Sequence, residues 1–106
     1  VSGTRYLALA VVLRAVRDMH MHGAKMTTAP SLEEHLDAIV WLGSTHAAVW
    51  FDVADVNQFN VLWENDWMRY AGAALDGDKL DAEERQLLQV GVKVFRDLKA
   101  RYDNGF

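Results

Sequence analysis

The residues best equipped for chemistry in this sequence are its carboxylates and histidines. Asp52 and Asp55 stand three apart, so a helix would put both on one face, near Asp66. Two such carboxylates can hold a metal or share acid–base work. Carboxylates at this spacing are far commoner on the wet face of a helix, and nothing else in the sequence completes a site around them. His20-Met21-His22 invites a metal reading, but residues two apart on a helix point about 200° apart and cannot share an ion. A helix C-terminus, where an imidazolium meets the dipole favourably, explains them better. His35 and His46 are single and lack a ligand-spaced partner.

Asp76-Gly77-Asp78-Lys79-Leu80-Asp81 looks like the start of a calcium loop and fails its test. Asp81 stands where the loop needs Gly, and Leu87 where it needs Glu. A turn and a helix cap explain each residue. No glycine-rich phosphate loop, nucleophile elbow or paired-histidine motif is present. There is no cysteine, which removes disulfides, thiol nucleophiles and cysteine metal sites. Function must be argued from a site, and the sequence supplies no catalytic one. The expectation is a non-enzyme with no metal and no cofactor.

The elements that would position these residues are helices, punctuated by turn residues. The first runs from a cap at Thr4 to about Met21 and buries Leu9, Val12, Leu13, Val16 and Met19, with Gly23 as its stop. Ser31-Leu32-Glu33-Glu34 is a capping box that starts the second, after Pro30 and before a stripe through Leu32, Leu36, Ile39 and Val40. Residues 47–54 read as helix or strand. Helix is preferred, because no strand partner is visible elsewhere and a lone strand leaves its backbone groups unpaired. A long fourth helix carries Phe59, Leu62, Trp63, Trp67, Tyr70, Ala71, Ala74 and Leu75 inward, capped by Asp55 or Asn57. Asp81-Ala82-Glu83-Glu84 is a second capping box, opening a fifth helix to about Tyr102. Its stripe reads Leu87, Val90, Gly91, Val94, Phe95, Leu98 and Tyr102, and Asp-Asn-Gly frays the tail. The expected fold is all-α, one compact bundle of about five helices over residues 1–106.

Composition agrees with one globular domain: 106 residues, 51% hydrophobic and 25% charged. The apolar run Leu7–Leu13 is too short to span a bilayer, and charged residues follow it at once. It reads as a core helix rather than a signal peptide, and the absence of cysteine fits a reducing cytosol. Val1 in place of Met fits a trimmed chain or an unusual start codon. The net charge of −4 is uneven. Residues 1–30 carry Arg5, Arg14, Arg17 and Lys25 against Asp18, whereas residues 31–76 set eight carboxylates against Arg69 alone. That acidic middle disfavours a nucleic-acid backbone as its partner.

Two interaction readings remain. Residues 46–70 have the outline of a helix-turn-helix, with Asn57, Gln58, Asn60 and Asn65 able to reach bases, but Glu64 and Asp66 carry the wrong charge. The preferred reading is a protein-docking surface made of Trp50, Phe51, Asp52, Asp55, Glu64 and Asp66, because Trp is enriched at interfaces and acidic faces steer basic partners. Self-association through the long fourth or fifth helix is a further option.

Three pieces of the chain also carry a resemblance. Ala10–Asp18, Ala38-Ile39-Val40-Trp41-Leu42-Gly43-Ser44 and Trp50-Phe51-Asp52-Val53-Ala54 together resemble small uncharacterised proteins of tailed bacteriophages and prophages. The likeness covers residues 8–63, about half the chain. It implies a phage accessory protein in the host bacterial cytoplasm, with a host protein as a possible partner, and brings no catalytic residues.

Overall fold

The computed structural model describes residues 2–104; Val1, and Gly105 of the expected frayed tail, lie outside the described residues. Among the described residues the chain forms six α-helices and no strand: α1 (Ser2–Met21), α2 (Leu32–Leu42), α3 (Thr45–Ala54), α4 (Gln58–Glu64), α5 (Trp67–Asp76) and α6 (Ala82–Asp103). None of them is long and apolar enough to cross a membrane.

Local chemistry sets most of the boundaries. Ser31 and Asp81 each accept the backbone N–H three residues on, while Glu34 and Glu84 reach back to the cap residue's own N–H, so both capping boxes form. Ser44 caps α3, which is a helix as expected. Asn57 caps α4 through the N–H of Asn60, at 2.9 Å. Thr4, expected as a cap, lies inside α1, which begins at Ser2. Gly23 follows α1 at φ +85°, a left-handed turn that favours glycine.

The main departure from the sequence reading is the fourth helix, which is two. It breaks at Asn65-Asp66, where Asp66 takes φ +58°. Asp is one of the few residues that visit this region at moderate cost. The Asn65 side chain donates to the Val61 carbonyl at 2.8 Å and closes the end of α4. An unbroken helix would carry Trp63 and Trp67 on one face, since they are four apart. The break sends them apart: Trp67 is fully buried and Trp63 is 52% exposed.

Trp67 is where the molecule converges. Its indole N–H donates to the Ile39 carbonyl of α2 at 2.8 Å, inside the core. Its six-membered ring lies against Gly43, where a Cβ would run into the indole. A Cβ on Gly91 of α6 would stand 2.8 Å from the Gly43 carbonyl oxygen. Two glycines therefore let α2, α5 and α6 close on one ring. On the other side of α2, α1 packs on α2 and α3 around Val12, Met19, Ile39 and Phe51. Arg85 of α6 donates to the carbonyls of Leu75 and Gly77, at 2.6 and 2.7 Å, and satisfies the end of α5.

Gly43→Ala should destabilise the domain by about 1–3 kcal/mol, as overpacking of a close-fitted core does. Gly72→Ala, in the middle of α5 with nothing within 4 Å of its Cβ, should stabilise it by about 0.5–1 kcal/mol. Urea unfolding of the two variants checks both signs.

Candidate functional site

Of the six residues singled out as a docking surface, five are exposed and one lies inside the core. Phe51 is 1% exposed and belongs to the core. Trp50 is 38% exposed, with Val49 and Val53 beside it on α3. Asp52 is exposed, but two residues along the same helix it points about 200° away from Trp50. Asp55 ends α3 in the left-handed region at φ +59° and sits 3.7 Å from the Arg5 guanidinium. Glu64 is exposed at the end of α4. Asp66 occupies the helix break, with the Arg69 guanidinium donating to it at 2.6 Å. Among the described residues no three His, Asp or Glu side chains converge as a metal-binding group.

The helix-turn-helix outline takes a form that does not favour DNA. Its second helix, α4, has seven residues and carries no Lys or Arg. The basic residues of α1 are already engaged. Arg14 and Arg17 pair with the nearly buried Asp18 at 3.5 and 3.3 Å, and Arg17 also donates to the Thr28 carbonyl at 2.7 Å. Such pairing explains how Asp18 can be buried.

What the structure brings together instead is an apolar groove of about 430 Å³ between α6 and the starts of α3 and α4. Its floor is Gly43, Gly91, Leu62 and Phe95. One wall is Ala48 and Phe59, and the other is a row on α6: Leu87, Val90, Val94, Leu98 and Tyr102. Val90 and Val94 are 54% and 51% exposed. None of the residues lining the groove carries a charge. Aromatic stacking fixes the wall: Phe59 lies parallel to Tyr102 with centroids 5.1 Å apart and against Phe95 at 4.9 Å. Gln58 donates to the carbonyls of Leu42 and Ser44, at 2.9 and 3.1 Å, and pins the start of α4 to the α2–α3 junction.

The groove corrects the expected stripe of α6. The buried residues there are Leu88, Gly91, Val92 and Phe95, whereas Leu87, Val90, Val94 and Tyr102 are exposed. The apolar residues cover roughly 200° of the helix at about 100° per residue. That is about twice the arc one buried face requires. The excess arc was the sequence signal for a second apolar surface.

A second assembly, at the far end of α1, had no local signal. His20, His22, His35 and Tyr70 meet there from α1, the turn after it, α2 and α5. His22 and His35 stack with centroids 4.7 Å apart, and their Nδ1–H groups donate to the carbonyls of Pro30 and Asp18 at 3.1 and 3.3 Å. His20 bridges Tyr70 Oη at 3.0 Å and Asn65 Oδ1 at 3.1 Å. The Asn65 amide already donates to Val61, so its oxygen accepts from His20 Nε2–H, and Tyr70 donates to His20 Nδ1. The network ties the helix break to α1. Burial, chiefly, holds the His35 pKa below the usual histidine range, and the neighbouring His22 acts the same way.

No family model, curated protein or solved structure matches this chain. The groove and the histidine assembly must therefore be read from their own chemistry.

Because the folded state disfavours a charged His35, its contribution to stability is full above the ordinary value of 6.5 and is lost as pH falls from there through the lowered folded value. Melting temperature should drop over that window. His35→Phe keeps a ring against His22 and Tyr70 and should flatten the drop; an unchanged profile would assign the effect to another group.

Proposed function

We propose that this chain is a non-enzymatic protein-interaction module that receives an amphipathic helix in the groove between α6 and the starts of α3 and α4. The observation that carries the reading is the row Leu87, Val90 and Val94, left exposed beside an uncharged groove on a helix whose other apolar face is already buried. Exposed contiguous apolar surface of this kind marks association sites. A groove flanked by a helix suits a second helix that sets side chains at every third or fourth residue into it. Catalysis asks for converging polar groups, and the groove's lining has none that is charged. Two of the aspartates singled out from the sequence are engaged within the fold: Asp55 pairs with Arg5 and Asp66 with Arg69. The likeness to small tailed-phage proteins gives the proposal a setting in the bacterial cytoplasm.

The test is site-specific photo-crosslinking in bacterial cells. Benzoylphenylalanine at Val94 should form an adduct with a protein chain on irradiation, and at Gln89, turned away from the groove, it should not. Val90→Glu should suppress the Val94 adduct, while Asp52→Lys with Asp55→Lys should leave it. Adducts that survive Val90→Glu and vanish with the two aspartate changes would overturn the groove reading in favour of the acidic face.

A further inference from the structure

We infer that the helix received by the groove is α6 of a second copy of this chain, lying antiparallel to the first. The inference rests on the docking reading above and names its occupant.

Three observations lead to it. The first is area. The protein exposes 6980 Å². A folded monomer of 12.0 kDa is expected to expose about 6,000 Å², so about 1,000 Å² is surplus. A stable pair of proteins removes about 800 Å² from each partner. The surplus is of the size that one such interface would cover.

The second is the order of residues along the exposed face of α6. Glu83, Leu87, Val90, Val94, Leu98 and Arg101 follow one another at steps of three or four, so they share one side of the helix. Read from either end, the series runs charge, Leu, Val, Val, Leu, charge. An antiparallel copy puts Leu87 against Leu98, Val90 against Val94 and Glu83 against Arg101, each twice over by the two-fold axis. That is the self-complementarity an isologous interface requires.

The third is charge. Glu83 and Arg101 are exposed, and among the described residues neither forms an ion pair within the chain. Antiparallel pairing gives each an opposite partner. Parallel pairing would set Glu83 on Glu83 and Arg101 on Arg101, and like charges facing each other select against that arrangement. The series also explains why α6 keeps two apolar faces. One closes on Trp67 through Gly91, and the other is reserved for the second copy.

The test uses the 106-residue chain, which has no cysteine of its own. Sedimentation equilibrium should return twice the mass of one chain, 12.0 kDa. Val90→Glu with Val94→Glu lies on the surface and should leave the helical circular dichroism unchanged while raising the dimer Kd by about a hundredfold or more. Glu83→Arg alone and Arg101→Glu alone should each weaken the dimer several-fold, and the two together should restore it. Orientation is read by disulfides: Glu83→Cys mixed with Arg101→Cys should cross-link as a heterodimer. Like-with-like disulfides would overturn the antiparallel pairing. A monomer at every concentration, or a dimer indifferent to Val90→Glu with Val94→Glu, would overturn the inference outright. A monomer whose Val94 adduct is a different protein would do so while leaving the docking reading in place.

Discussion

The structure depends on one buried indole. Trp67 brings a large apolar ring and a single donor into the core, and both must be accommodated at once. The Ile39 carbonyl takes the N–H, and the bare backbones of Gly43 and Gly91 take the ring. This arrangement fixes the distance between α2 and α6 and the angle at which α5 departs. It also forces the break before Trp67, because a continuous helix from Phe59 onward would point Trp63 and Trp67 the same way. Asp66 in the left-handed region is the local cost of that placement, offset in part by its ion pair with Arg69.

Much of the fold was legible in the sequence because helix starts are written locally. Ser31 and Glu34, Asp81 and Glu84, and Asn57 each declare a boundary within four residues of chain. The helical nature of residues 47–54 followed from the absence of any strand to pair with. The break at Asn65-Asp66 was not legible, since the apolar spacing of Phe59, Leu62, Trp63, Trp67 and Tyr70 runs through it without a missed step. Periodicity records which residues are apolar; it does not record that the axis has turned. The face of α6 was misread for a related reason. Leu87, Val90 and Val94 form as regular a row as Leu88, Val92 and Phe95, and only the ring of Trp67 decides which row is inside.

The sites show the same division between local and assembled information. The aspartates chosen from sequence stand where local geometry needs them, at the end of α3 and at the helix break. Asp52 cannot join Trp50 on one surface, because a two-residue step crosses the helix. The histidines of positions 20, 22 and 35 meet only after α1 and α2 fold against each other and α5 delivers Tyr70. The groove likewise joins α3 and α4 to α6, which is far from them in the chain. Its lack of charge separates it from the rest of an acidic protein and suits it to apolar docking.

The seam between α6 and the remainder has a further consequence. The 22-residue α6 packs on α2 and α5, through Leu88, Gly91, Val92 and Phe95, and on the rings of α4, whereas α1, α2 and α3 enclose one another. The two parts therefore have unequal claims on the core. An opening that lifts α6 away exposes less apolar surface than global unfolding, and so has the lower free energy. Covering its second face would close that gap, so that association and the docking of α6 form one cooperative step. The ring of Trp67, lying on the seam, would then report in its fluorescence on whether the arm is seated.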